Sequence, residues 1–296
     1  MEAPYILHML GPLKHVSPFD VNMALDAGFN TVVPYTSVEL ADVRGLTQDA
    51  IFSRGPKGAK RTGLFIGGKD AVIALDMLGA ARKAMFPPFQ ISVFADPAGS
   101  FTTAAAMVAK VERTLKAQTR GGLRDCAVAV FGATGVVGFA AGMIAAAEGA
   151  KVNLIGYDGP ARVQALAKVA KERFDVDVGS SDGSTDALKV EAIKSADVIL
   201  SAGRAGVQIL SSQQLSQAAN MKVAADVNAV PPAGIEGLGA QDDGVPLKSG
   251  VGIGALAIGA MKYKVQSGLF RKMIETDKPL FLDFRDAFAL ARELVG

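Results

Sequence analysis

The stretch from Cys126 to Glu148 limits what this chain can fold into more than any other part of it. Cys126 to Phe131 is a continuous apolar run, the pattern of a strand buried on both faces of a parallel sheet, and Val136 to Glu148 reads as an apolar helix. Between them Gly132, Ala133, Thr134, Gly135, Val136, Val137 and Gly138 give a G-x-x-G-x-x-G spacing. A strand that enters a glycine turn and leaves as a helix lets the backbone approach a pyrophosphate, with helix-end amides and dipole directed at the negative charge. A glycine trio also serves as a tight helix-to-sheet contact, and the flanking strand and helix favour the nucleotide. Gly149, at the end of the helix, reads as a C-cap.

The same alternation continues downstream. Val152 to Ile155, Val176 to Val178, Val198 to Ser201 and Val223 to Asp226 are short apolar runs separated by helical stretches such as Pro160 to Arg173, as in a doubly wound sheet. Upstream, Tyr5 to Leu10, Thr31 to Tyr35, Gly63 to Ile66 and Gln90 to Phe94 read as strands, and Asp70 to Met85 and Thr102 to Leu115 as helices. The polar stretch Gln118 to Gly122 reads as a hinge. After Asp226 the chain is rich in proline and glycine to Gly254, then helical from Ala255 to Ile274 and from Arg285 to Leu294. The expected fold is α/β: two α/β domains flanking a cleft, the second a doubly wound Rossmann-type parallel sheet. Residues 1–118 with about 270–296 are expected to bind substrate, and 119–269 the dinucleotide. Gly259 is expected to face the sheet or the ligand.

Composition removes most other classes. Half of the 296 residues are apolar and 20% are charged, which excludes intrinsic disorder. A net charge of +2 gives no field to draw the chain to nucleic acid or to an anionic membrane. One cysteine, Cys126, and two histidines, His8 and His15, argue against a disulfide framework and against a metal site. The late apolar run Val251 to Met261 is 11 residues long, short of the ~20 that span a bilayer. Met1 to Leu10 lacks the features of a signal peptide, and a cytoplasmic protein is the expectation.

Selectivity between nucleotides rests on the tip of the second strand. Asp158 lies 20 residues past Gly138, where an acid accepts from a ribose 2′-hydroxyl and repels a 2′-phosphate. Arg162 pulls the other way, and the expected cofactor is NADP or NAD, with Tyr157 beside them. Asp158 as a cap for the helix starting at Pro160 is the competing use. Ala202, Gly203, Asn228 and Pro231 follow later strands, at the ends where open sheets bind ligands.

Several segments together resemble the methylene-tetrahydromethanopterin dehydrogenases of methylotrophic bacteria, which share an architecture with methylenetetrahydrofolate dehydrogenases. They are Phe19-Asp20, Phe52-Ser53-Arg54-Gly55, Phe65 to Asp70, Pro88-Phe89, Asp96 with Gly99 to Ala106, the glycine turn, Ala225 to Pro232 and Gly254 to Lys262. The resemblance implies hydride transfer from 5,10-methylene-tetrahydromethanopterin to NAD(P), with Lys262 in the cleft as the catalytic residue and Asp20 contacting the pterin end of the substrate. Gly67 and Gly68 read by default as a tight strand-end turn and otherwise as a wall of the substrate cleft, and Asp96 and Thr102 are the other expected substrate-binding residues. A homo-oligomer is also expected. Family members strict for NADP carry a basic residue where Tyr157 stands, which argues for dual use here. The methylene carbon lies between two nitrogens, so hydride loss leaves a cation they share and no dedicated base is needed. Arg54, Lys57, Lys60 and Arg61 suit an anionic substrate tail or a solvated loop, and His8 and His15 read as structural. Tetrahydrofolate in place of the methanopterin, and a redox-inactive nucleotide sensor, stay open at this point.

Overall fold

A computed structural model describes residues 3–119, 121–276 and 278–296, so Arg120, within the expected hinge, lies outside the described residues. The first part of the chain forms β1 (Ile6–Leu10), α1 (Pro18–Asp26), β2 (Thr31–Tyr35), α2 (Val43–Phe52), α3 (Gly55–Ala59), β3 (Thr62–Ile66), α4 (Ala71–Lys83), β4 (Ser92–Ala95) and α5 (Ser100–Thr119). Then come β5 (Ala127–Phe131), α6 (Val136–Ala147), β6 (Lys151–Gly156), α7 (Ala161–Phe174), β7 (Gly179–Asp182), α8 (Asp186–Ile193), β8 (Val198–Ser201), α9 (Ser212–Leu215) and β9 (Val223–Asp226). The remainder is β10 (Asp243–Pro246), β11 (Val251–Ile253), α10 (Ala255–Glu275), β12 (Phe281–Leu282) and α11 (Phe284–Val295).

Packing divides the chain into unit 1, residues 1–102 with 263–290, and unit 2, residues 103–262 with 291–296. The divisions fall inside α5, α10 and α11, where apolar periodicity runs on without a break. Composition marks only the polar stretch 118–122, so the two sets of boundaries differ.

Unit 1 holds a parallel sheet in the order β2-β1-β3-β4-β12. Strands β3 and β4 are buried at every position, as central strands covered on both faces must be. Phe65, Phe94 and Phe270 meet with ring centroids 5.2 to 5.5 Å apart and form the aromatic centre of its core. Helix α4 is started by Asp70, whose carboxylate accepts the Ile73 amide at 2.9 Å. From β1 the chain moves to β2 on one side, and from β3 it moves to β4 on the other, so the gap between β1 and β3 is the topological switch point where ligands of open sheets bind.

Unit 2 holds the order β10-β11-β9-β8-β5-β6-β7, parallel except for β10. Taken from β7 to β11 this is the 3-2-1-4-5-6 arrangement of a dinucleotide-binding sheet, with its switch point between β5 and β8. Strand β7 is Gly179–Asp182, not the apolar Val176 to Val178. It is an edge strand, and an edge can be polar because one side has no partner to bury it. Strand β11, three residues long, completes the sheet from within the proline- and glycine-rich stretch.

Candidate functional site

Each glycine of the turn after β5 does a different job. Gly132 has φ +70°, and a Cβ there would lie 2.1 Å from the Ala202 carbonyl oxygen, so only glycine lets the turn lie against the loop after β8. A Cβ on Gly138 would meet the Gly132 carbonyl at 2.4 Å, which makes it the contact between α6 and the turn. At Gly135 the nearest atom to a Cβ is the Gly132 carbonyl at 3.3 Å. Gly135 is also the N-cap of α6 and offers no side chain to the helix end. The amides of that first turn have no intrahelical partner, and the dipole adds positive potential beside them.

Gly132, Thr134 and Gly135 line a cavity of about 590 Å³ that runs across the ends of β5, β6, β7 and β8. Tyr157, Ala202 and Gly203 line it too. Ala133 and Gly138 are buried behind the turn, and Val136 and Val137 lie in the first turn of α6 outside the lining. Phe131, Ile155, Val207 and Ile209 supply apolar wall suited to a flat base. Among the described residues, the charged groups in the lining are Lys189 and Arg204, with no carboxylate. Neither cation belongs to a recognisable motif; the one signal is position, shortly after the ends of β7 and β8.

At the tip of β6 the Arg162 guanidinium donates to both the Tyr157 hydroxyl and the Asp158 carboxylate at 3.2 Å. Asp158 does not cap α7: the N-cap is Pro160, and no side chain bonds the helix end. The acid and the arginine expected from sequence to pull selectivity in opposite directions are thus paired with each other at the surface.

Asn228 is engaged within the protein. Its side-chain oxygen accepts the amides of Gly206 and Val230, at 3.1 and 2.9 Å, and its Nδ2 donates to the Pro232 carbonyl at 2.8 Å. It therefore ties the loop after β9, with exposed Pro231, to the loop after β8. Buried Asp226 does the same from below, accepting from the Ser201 hydroxyl and from the amides of Asn228, Gly234 and Ile235. Burial pushes its carboxyl up, and these donors pull it back only in part.

The second cavity, about 470 Å³, lies in unit 1 at the β1/β3 switch point. Gly11 follows β1 and Gly67 and Gly68 follow β3; Lys14, Asp20 and Lys69 carry the charge in its wall, and His15 also lines it. His15, read as structural from sequence, is an exposed wall residue, whereas His8 is half-buried and bonded to the Tyr35 hydroxyl at 3.1 Å. Asp20 reaches the cavity from α1 and is otherwise buried, accepting from Gln266 Nε2 at 2.7 Å. Sequence reasoning missed Gln266, a glutamine at a core-facing helical position one turn after Lys262. Lys262 is half-buried on α10 and lines neither cavity.

Asp96 and Thr102 are brought together, but facing inward. Both are fully buried, and the Asp96 carboxylate accepts from the Thr102 hydroxyl at 2.7 Å and from the amides of Phe101 and Thr102. They hold the Pro97–Gly99 turn, whose Ala98 lines the cavity. The basic cluster lies elsewhere. Arg61 precedes β3 and Gly67 follows it, so the length of the strand, roughly 17 Å, separates them. Arg54 is bonded to the carbonyls of Pro4 and Arg61 and to the Thr62 hydroxyl, a fastening of the chain and no anion site. Gly259 does not pack on the sheet: it is exposed, and a Cβ there would meet nothing within 4 Å.

Residues 18–98 match the N-terminal domain family of methylene-tetrahydromethanopterin dehydrogenases. The chain is 57% identical over 296 residues to the NAD(P)-dependent methylenetetrahydromethanopterin dehydrogenase of Methylorubrum extorquens AM1, covering 99% of this chain and 100% of that protein. The chain belongs to the methylene-tetrahydromethanopterin dehydrogenase family. It is also 33% identical to the bifunctional protein MdtA of the same organism, over 94% of each chain. Among solved structures this dehydrogenase family member is similar in fold to the NAD-dependent malic enzyme of Thermotoga maritima. The TM-score is 0.57 at 12% identity, covering 97% of this chain and 84% of that one. It is likewise similar to the shikimate 5-dehydrogenase of Listeria monocytogenes, with TM-score 0.50 at 12% identity and coverage of 99% and 96%.

Proposed function

We propose that this family member transfers hydride from 5,10-methylene-tetrahydromethanopterin to NAD(P), giving methenyl-tetrahydromethanopterin, in the one-carbon metabolism of formaldehyde oxidation. The end-to-end identity to a methylenetetrahydromethanopterin dehydrogenase carries this reading. Two further observations fit it: a cavity at the switch point of each sheet, and a nucleotide cavity whose charged lining, among the described residues, is cationic.

Bound NAD(P) supplies the hydride acceptor. In this reading Gly132, Thr134 and Gly135 hold the pyrophosphate, Tyr157 meets the adenosine ribose, and the loops tied by Asn228 and Asp226 set the nicotinamide end. Unit 1 takes the pterin at the cavity containing Asp20, Gly67 and Gly68, with Lys14 and Lys69 suited to its anionic groups. The catalytic role of Lys262 is part of the same reading, as are a cytoplasmic location and a homo-oligomer. Among the described residues no helix is long and apolar enough to cross a membrane.

The test is reduced-nicotinamide absorbance with each nucleotide and each of the two methylene pterins. Turnover with the methanopterin substrate is expected. Turnover with the tetrahydrofolate alone would overturn the substrate assignment, and absence of both would overturn the reaction. Light scattering on a sizing column tests the oligomer.

A further inference from the structure

The nucleotide cavity has two cations in its wall, and neither is the arginine that the sequence motif points to. Arg162 is held by Asp158 and Tyr157 on the rim. Lys189 lies in the cavity wall with its side chain about one-fifth exposed, while the Asp158 and Arg162 side chains are 39% and 53% exposed.

The location of Lys189 follows from strand register. Gly156 on β6 pairs with Asp182 on β7, and the Gly183 amide donates to the Gly156 carbonyl at 2.7 Å. The turns that leave β6 at Tyr157 and β7 at Gly183 are therefore side by side. Lys189 stands on α8, in the turn of helix that follows, and lines the cavity together with Tyr157, Gly183 and Ser184. The adenosine ribose of a dinucleotide sits at the tip of the second strand, here β6. Arg204 lies at the other side, in the loop that packs on Gly132, nearer the pyrophosphate turn.

Lys189 is also weakly held. Its acid neighbour, Asp186, is 3.5 Å away and 85% exposed, and the same Asp186 oxygen accepts from Gln214 Nε2 at 2.9 Å. If the ammonium leaves, Asp186 keeps both solvent and a hydrogen-bond donor, so a phosphate in the cavity competes for Lys189 against a weak, screened partner.

The geometry points to Lys189 as the residue that reads the 2′-phosphate of NADP, with the Asp158–Arg162 pair left as a bystander at the rim. This rests on the nucleotide reading above and deepens it: the tolerance for both nucleotides comes from a movable lysine on α8, which binds a phosphate when one is present and returns to Asp186 when it is not.

Calorimetric titration of the full chain with 2′,5′-ADP, 5′-AMP, NADP and NAD tests it. In Lys189→Ala, affinity for 2′,5′-ADP and NADP is expected to fall about tenfold or more, since a charge-assisted contact is lost, while 5′-AMP and NAD stay within about twofold. Lys189→Arg is expected to retain most of the 2′-phosphate preference. The wild-type affinity for 2′,5′-ADP should fall more steeply with salt than that for 5′-AMP, and the two slopes should converge in Lys189→Ala. A parallel loss for all four ligands, or an unchanged NADP affinity, would overturn the assignment. Wild-type protein that binds none of the four would instead overturn the nucleotide reading beneath it.

Discussion

Two glycines three residues apart should fail in opposite ways, and the contrast separates folding from binding in the same turn. At Gly132, alanine would put its Cβ 2.1 Å from the Ala202 carbonyl oxygen and 2.7 Å from the Gly203 amide, where ordinary contact begins at 3.4 Å. The clash is with backbone at the end of β8, so the loop itself must move by about 1 Å or more. Forcing an L-residue to φ +70° adds about 1–2 kcal/mol, and overpacking a close contact typically about 1–3 kcal/mol, giving a loss of about 2–5 kcal/mol. Gly135 is different. Its φ of −86° and ψ of 161° suit any residue, and its Cβ would meet a single protein atom at 3.3 Å. Valine there should cost the fold only about 1 kcal/mol, the penalty of a poor N-cap. It would, however, occupy the approach to the helix-end amides, and losing charge-assisted hydrogen bonds worth about 1.5–3 kcal/mol means about ten- to a hundredfold in nucleotide affinity. Urea unfolding and calorimetry on both variants make the comparison. If Gly135→Val is destabilised as much as Gly132→Ala, or binds NADP as tightly as the wild type, the division of labour within the turn is wrong.

Asp158→Ala should leave the ratio of kcat/KM for NADP over NAD within about twofold of the wild type, because the pair is exposed and screened; a larger shift would place this acid against the ribose. Gly259→Ala should leave turnover intact and stabilise α10 by about 0.5–1 kcal/mol, since the position is exposed and the Cβ meets nothing; a drop in Tm would mean that the glycine is needed for packing. Burial, with a smaller contribution from Arg54, holds the His8 imidazole below its ordinary value of 6.5. The folded state therefore resists protonation there, so this contribution to stability is complete above about pH 6.5 and is lost as the pH falls through the depressed value. Melting curves from about pH 8 to about pH 5 should decline less in His8→Asn than in the wild type, and parallel declines would assign the acid sensitivity to other groups.

What could be read from the sequence was what depends on local pattern. The run Cys126 to Phe131, the glycines after it and the apolar helix form one continuous signal, and strand, turn and helix stand where that signal puts them. The runs at Val198 to Ser201 and Val223 to Asp226 are strands for the same reason: central strands of a parallel sheet must be apolar throughout. Strand β7, Gly-Ser-Ser-Asp, escaped because an edge needs no apolar run, and the nearby Val176 and Val178 drew the assignment toward themselves. Strand β11 escaped because three residues carry too little period. The basic cluster misled for a different reason. Sequence places Arg61 six positions from Gly67, yet a strand spans that interval and sets the two at opposite ends of the sheet. Lys189 and Arg204 had no motif at all; they reach the nucleotide cavity only because parallel strands deliver their following loops to one edge.

The polar residues that did attract attention were mostly turned inward, and this bears on the chemistry. Asp96, Asp226 and Asn228 each accept two or more hydrogen bonds from neighbouring backbone and side chains, and Asp96 and Asp226 are nearly inaccessible. A carboxylate so engaged is poorly placed to take a proton from a substrate, because doing so would break the bonds that hold its loop. In a hydrolase or an isomerase that would be a defect. In a hydride transfer whose product cation is stabilised by its own nitrogens, the demand on the protein is for distance and angle, which rigid backbone meets better than mobile side chains. Buried acids that anchor the loops after β4 and β9, and cavities walled largely by glycine and apolar residues, are what such a reaction asks for. On the proposed reading, the charged groups of the two cavity walls, among them Asp20 held by Gln266 in one unit and Lys189 in the other, are then left to recognise and orient.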